Sequence, residues 1–100
     1  MKILVIDDEK PTLSMFKLFL TAYGYEVIIA ENGEEGLALF KENLPEIVFT
    51  DIRMPGIDGL EVLRQIRKFN QTSQMIIITG HGDMEKAVEA LDLDASDFIK

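Results

Sequence analysis

Apolar positions along the chain alternate between short solid runs and runs spaced at three and four residues. Residues 2–6 (KILVI) form a solid, β-branched run, the mark of a strand buried on both faces. Pro11 suits the first turn of a helix, where its missing N–H is no loss. Leu13, Phe16, Leu20 and Tyr23 follow at helical spacing, and Gly24 supplies a C-cap. Residues 25–30 (YEVIIA) read as a second strand. After the Asn32-Gly33 turn signal, Gly36, Leu37, Phe40 and Leu44 mark a second helix, closed by Pro45. Residues 46–50 (EIVFT) are a third strand, with Asp51 directly behind it, and IRMPGIDG is a loop. Asp58 is placed to cap a helix whose apolar face is Leu60, Leu63 and Ile66, with Arg67 beside it. Residues 75–79 (MIIIT) are a fourth strand. A Gly80-His81-Gly82-Asp83 loop follows, with Asp83 a candidate N-cap. Ala87, Val88 and Leu91 form the stripe of a fourth helix, and residues 96–100 (SDFIK) open a fifth strand.

Strict βαβαβαβαβ alternation predicts one α/β domain over residues 1–100, a parallel sheet with helices on both faces. Right-handed crossovers prune its topology. Ligands of such sheets bind outside the carboxyl ends of the strands. At that edge the sequence sets Asp7 and Asp8, with Glu9 behind them, after strand one, Asp51 after strand three, and Thr79 at the end of strand four. Carboxylates crowded together repel one another, and their neighbourhood is relieved by a hard dication. Mg2+ takes oxygen ligands and typically uses one or two carboxylates with waters and phosphate oxygens.

Composition narrows the picture further. With 47% hydrophobic residues the chain can build a core, and its net charge of −8 disfavours nucleic acid or anionic lipid as a direct partner. It contains no cysteine, which excludes disulfides and thiolate metal sites and fits a reducing cytoplasm. No apolar run reaches the ~18 residues of a membrane span, and the amino terminus lacks the h-region of a signal peptide. Taken singly, most of the edge residues have plainer readings. Asp8 serves equally well as an N-cap, Asp58 and Asp83 are caps before they are ligands, and Thr79 is an ordinary strand residue. His81 has no His or Cys companion and reads as a solvated loop residue, and Glu9 as solvent-facing. The coincidence of Asp7, Asp8, Asp51 and Thr79 at carboxyl strand ends is what points to a site.

The acidic pair in VIDDE, Asp51 in FTDIRMPGIDG, Thr79 in IIITGHGD and Phe98 in ASDFIK together resemble the receiver domain of two-component response regulators, the CheY-like family, over all 100 residues. The resemblance implies a doubly wound, flavodoxin-like sheet of order 2-1-3-4-5. It implies that Asp51 accepts a phosphoryl group from a phosphohistidine of a sensor histidine kinase, becoming an aspartyl phosphate. Asp8 and Asp51 would bind Mg2+ directly with the backbone carbonyl of Arg53, and Asp7 chiefly through water. Thr79 is the implied switch hydroxyl and Phe98 the switch aromatic, with the fourth helix and its flanking strands as the surface that changes. Arg53 and His81 occupy positions that tune phosphoryl lifetime in this family. The TGHGD stretch resembles receivers attached to transcriptional activators, so an output domain or downstream protein is the expected recipient of the signal. Such a domain is a switch with transient covalent chemistry rather than an enzyme turning over an outside substrate.

Two features depart from the family pattern. The lysine that pairs with the phosphoryl group belongs one position beyond Lys100, and strand alternation points Lys100 the other way. The last helix of the family is also absent from the sequence, so the domain reads as incomplete, ending within strand five. The expectation is a shortened receiver or natural fragment whose open sheet face is covered by a second copy, giving a homodimer. An alternative is a receiver-like interaction module that keeps the fold and does not switch. Two further classes fail on the residues. Aspartyl phosphatases need a D-x-D pair after the first strand, whereas these acids are adjacent. An FMN carrier needs a hydroxyl- and glycine-rich phosphate loop where three acids stand.

Overall fold

A computed structural model of the chain describes residues 1–78 and the strand at 97–99. The described elements run β1 (Lys2–Ile6), α1 (Lys10–Ala22), β2 (Glu26–Ala30), α2 (Gly33–Asn43), β3 (Ile47–Asp51), α3 (Gly59–Phe69), β4 (Gln74–Ile78) and β5 (Asp97–Ile99). The five strands form a single sheet in the order β2-β1-β3-β4-β5, every neighbouring pair parallel. This is the expected doubly wound arrangement. The expected fourth helix, with Ala87, Val88 and Leu91, and the loop 80–83 lie outside the described residues.

Side-chain alternation sorts the strands onto two faces. Leu4 and Ile6 of β1, Val48 of β3 and Met75 and Ile77 of β4 join Leu37 and Phe40 of α2 and Leu60, Val62, Leu63 and Ile66 of α3 in one buried cluster. On the other face Ile3 and Val5 pack with Leu13 of α1, flanked by the half-buried Phe16, Leu20, Val27, Ile29, Ile47 and Phe49. Phe16 and Phe49 tie α1 to β3, their ring centroids 5.5 Å apart.

Capping chemistry sets the helix starts. The Asn32 carboxamide accepts the Glu35 N–H at 2.7 Å, and the Glu35 carboxylate accepts the Glu31 N–H at 2.8 Å. That exchange starts α2 at Gly33, three residues before the apolar spacing begins. Asp58 caps α3 by accepting the Glu61 N–H at 2.9 Å, as the sequence leads one to expect. Two residues leave the stripes that their spacing assigns them. Tyr23 is the C-cap of α1 and is 79% exposed, and Leu44 is the left-handed C-cap of α2 (φ 48°) and is 59% exposed. At both positions the backbone has left helical geometry, so the 3.6-residue period no longer aims the side chain inward.

The contrast gives a direct stability test. Phe40→Ala, at a fully buried ring, should lower the free energy of unfolding by about 3–5 kcal/mol. Tyr23→Ala, in the same apparent pattern, should stay within about 0.5 kcal/mol. Urea unfolding followed by circular dichroism reads both, and equal losses would contradict this division of the core.

Candidate metal centre

The β1–β3 register builds the site. Ile3 to Ile6 pair with Ile47 to Thr50 in order, so the next residues along, Asp7 and Asp51, arrive side by side at the carboxyl edge. The Asp7 N–H donates to the Ala30 carbonyl at 3.1 Å, continuing the sheet pattern one residue past the end of β1. Asp51 is the last residue of β3. The carboxylates of Asp7, Asp8 and Asp51 each offer an oxygen, and these atoms lie within 4.8 Å of one another.

Their environments differ. Asp7 and Asp51 are only 4% and 6% exposed, whereas the adjacent Asp8 is open to solvent. Burial pushes the Asp7 carboxyl up to about 6 from an ordinary value of 3.8, and the negative charges of Asp51, Asp8 and Glu9 push the same way. The Glu9 N–H, which donates to Asp7 Oδ1 at 3.0 Å, opposes the rise without cancelling it. Asp8 is not used as a helix cap, because the cap position of α1 falls on Glu9, which makes no side-chain cap bond. Glu9 itself is exposed, as expected.

Asp51 is held by its backbone as well as by burial. The hydroxyl of Thr50, itself buried, donates to the Asp51 carbonyl at 3.0 Å. The Arg53 N–H reaches Asp51 Oδ1 at 3.4 Å, turning the chain sharply out of β3. At Gly59 the N–H donates to the Ile52 carbonyl at 2.9 Å, closing the loop 52–59 onto the strand end. A Cβ at Gly59 would land on the Asp51 carbonyl oxygen, so only glycine permits that closure. Neither Thr50 nor Gly59 stood out in the sequence as part of the site. Thr50 reads as a β-branched strand residue, and Gly59 as one more loop glycine. The Asp58-Gly59 pair, a cap followed by a residue without a side chain, was the available signal.

Of the other expected site residues, Arg53 has an exposed side chain beside the cluster. Phe98 lies in β5, its backbone in register with Ile77 of β4, while its side chain is outside the described residues. Thr79, His81 and Lys100 are also outside the described residues. The donor set that is described consists of carboxylates alone, two of them buried together against like charge. That chemistry fits a hard, oxygen-seeking dication and not a soft transition metal.

The family model described as "Response regulator receiver domain" matches residues 3–100. A "Probable transcriptional regulator ycf27" from Porphyra purpurea is 38% identical over 98 residues, which are 98% of this chain and 40% of that protein. The chain thus spans about two fifths of the length of this curated relative. Among solved structures, a response regulator receiver domain protein from Clostridium thermocellum superposes with TM-score 0.93 at 41% identity, over 98% of this chain and 79% of that one. The response regulator TrrA from Thermotoga maritima, solved in complex with Mg(2+)-BeF, gives TM-score 0.88 at 37% identity, over 98% and 84% of the two chains.

The raised Asp7 carboxyl makes a signed prediction. Below about pH 4 the residue is protonated in both folded and unfolded chains and contributes nothing to pH dependence. Between about 4 and about 6 the unfolded chain releases its proton while the folded chain keeps it, so stability falls as pH rises. Above about 6 the full penalty is present. In metal-free buffer at pH 7.5, Asp7→Asn should therefore raise the melting temperature by about 4 °C or more, a gain that fades as pH falls towards 4. Thermal melts of both proteins across that range check it. A gain independent of pH would mean that the carboxyl charge is not its source.

Proposed function

The chain belongs to the response regulator receiver domain family, and on that premise we propose that it is the Mg2+-dependent phospho-accepting domain of a phosphorelay, with Asp51 as the acceptor. The observation that carries the reading is the convergence of Asp7, Asp8 and Asp51 within 4.8 Å at the carboxyl edge of the sheet. The homologous TrrA, solved in complex with Mg(2+)-BeF, supports the same assignment.

In this reading Asp8 and Asp51 would hold the cation with the Arg53 backbone carbonyl, and Asp7 would act on it chiefly through water. When bound, Mg2+ supplies positive charge against the phosphoryl oxygens and offsets the repulsion among the acids. An Asp51 carboxylate oxygen attacks phosphorus. The O–P bond forms as the N–P bond of the donor phosphohistidine breaks, and the imidazole nitrogen keeps the bonding pair. Burial of Asp51 and the contacts of its backbone fix the attacking oxygen before the donor arrives, so little ordering remains for the reaction itself. Thr79 would then serve as the switch hydroxyl for the phosphoryl group and Phe98 as the switch aromatic. The consequence is a two-state switch biased by local charge. Arg53 and His81, two positions after the acceptor and two after Thr79, would tune how long the aspartyl phosphate lasts.

The donor partner is a sensor histidine kinase, and the recipient is an output domain or downstream protein. Relatives named as transcriptional regulators are longer than this chain and favour gene control as the output. No helix among the described residues is long and apolar enough to cross a membrane, and the acidic surface does not suit nucleic acid. A cytoplasmic site of action follows from the proposed kinase partner.

Intact mass spectrometry after incubation with a small-molecule phosphoryl donor tests the proposal. Wild type with Mg2+ should gain ~80 Da, the mass of one HPO3 attached to an activated carboxylate. The gain should vanish in Asp51→Asn and in wild type stripped of divalent cations. A gain that persists in Asp51→Asn moves the acceptor elsewhere, and no gain in any sample leaves a receiver-like module that does not switch.

A further inference from the structure

Resting on the phospho-acceptor reading, we infer that Gly33, at the first turn of α2, is a positioning residue for the Asp51 centre, acting through Ile57 of the β3–α3 loop. Gly33 lies in a different element from every residue assigned to the site. It is buried, and the space its missing side chain leaves is already filled. A Cβ there would stand 2.5 Å from Ile57 Cγ1, 3.0 Å from Ile57 Cδ1 and 2.9 Å from Val62 Cγ2. Ile57 thus occupies a socket left by the missing Gly33 side chain, which the fully buried Val62 of α3 also borders. The next residue of α2 touches the same loop, for the Glu34 carboxylate lies 2.9 Å from where a Cβ on Gly56 would project. The first turn of α2 is therefore the seat of the loop at two consecutive residues, Gly56 and Ile57.

The loop carries that position to the centre over few bonds. Ile57 is followed by Asp58, which is tied to the start of α3 through the Glu61 N–H. Gly59 comes next, its N–H on the Ile52 carbonyl and its Cα against the Asp51 carbonyl. Between the two anchors lies Arg53, whose N–H meets the Asp51 carboxylate and whose carbonyl is the proposed cation ligand. Moving Ile57 out of its socket shifts a closed eight-residue loop whose ends are Ile52 and Gly59. The Asp51 backbone carbonyl lies against that closure, and the Asp51 carboxylate is tied to the same loop through the Arg53 N–H. Metal ligation and in-line attack tolerate displacements of only about half an ångström, so a seat of this kind acts on the chemistry and not only on the fold.

The test compares Gly33→Ala, Ile57→Ala, the double variant Gly33→Ala/Ile57→Ala, and Val27→Ala as a control on the α1 face of the sheet. Mg2+ affinity is read by isothermal titration calorimetry, and the rate of mass gain with a small-molecule phosphoryl donor is read in parallel. Both are taken at a temperature where circular dichroism shows each protein folded. Gly33→Ala should weaken Mg2+ binding by about tenfold, in the range seen for groups that orient metal ligands, and slow phosphorylation as well. Ile57→Ala, which empties the socket without intrusion, should weaken binding less. It also serves as the reporting variant should Gly33→Ala not fold. The double variant should recover part of the loss of Gly33→Ala, because the clash with Ile57 is gone while the added methyl still stands 2.9 Å from Val62 Cγ2. Val27→Ala should lower the melting temperature without changing either readout.

Mg2+ affinity and rate within about twofold of wild type in both Gly33→Ala and Ile57→Ala would overturn the inference. So would equal losses in Val27→Ala, which would assign the effect to general loosening. If wild type itself neither binds Mg2+ nor gains mass, the phospho-acceptor reading falls, and the positioning role falls with it. If wild type does both, the outcome for the variants bears on Gly33 alone.

Discussion

The centre depends first on the register between β1 and β3. Ile6 lies opposite Thr50, so Asp7 and Asp51 leave the sheet as neighbours. A slip of one residue would separate them and would also reverse the faces of every side chain in the strand. That slip is forbidden by the core and not by the acids. Leu4, Ile6 and Val48 sit at the centre of a cluster sealed by Phe40, Leu63 and Ile66, all fully buried. The apolar packing holds in place a juxtaposition of like charges that electrostatics alone would push apart. Burial above all, with the charges of Asp51, Asp8 and Glu9 added to it, pushes the Asp7 carboxyl up to about 6.

Much of this arrangement was legible in the sequence because parallel, doubly covered strands advertise themselves. KILVI, EIVFT and MIIIT are uninterrupted apolar runs, and the alternation of such runs with helical spacing leaves few topologies. Once the sheet is parallel, Asp7, Asp8 and Asp51 must share an edge, whatever the loops do. Distinctions that depend on which side of the pleat faces inward were not legible. Asp7 and Asp8 are chemically identical and adjacent, and alternation says only that they differ. Burial of the first and exposure of the second follow from the packing of Ile3 and Val5 beneath α1, which three-dimensional contacts decide. Tyr23 and Leu44 misled for a related reason, since periodicity extrapolates a helix past its cap and the cap does not obey it.

Glycines were the least readable residues. In a sequence Gly33 and Gly59 are turn signals, and each is the first residue of a helix. What each does is defined by an atom from elsewhere in the chain: Ile57 and Val62 against Gly33, and the Asp51 carbonyl against Gly59. A requirement for no side chain is a statement about a neighbour, and a single sequence does not show neighbours. Thr50 is similar, with its hydroxyl turned back to the Asp51 carbonyl in a strand where any β-branched residue would satisfy propensity.

The two faces of the sheet therefore carry unequal duties, and alternation explains why. Ile3, Val5 and Asp7 share one parity on β1, as Ile47, Phe49 and Asp51 do on β3. Both acids thus end rows that belong to the α1 face, where Phe16, Ile47 and Phe49 are only half-buried. The opposite face, with its fully buried Phe40, Leu63, Met75 and Ile77, supplies the larger part of the described core. Structural rigidity is concentrated on the side away from the acids, and it reaches them through backbone: the β1–β3 ladder from below and the α2-seated loop from the side. An acidic centre built directly into the heavily packed face would face a larger desolvation penalty with less access for a cation or a donor. Placing it at the end of the lighter rows leaves Asp8 in solvent while Asp7 and Asp51 stay buried. That combination of one open and two enclosed carboxylates is what a site needs if it must be both rigid and reachable.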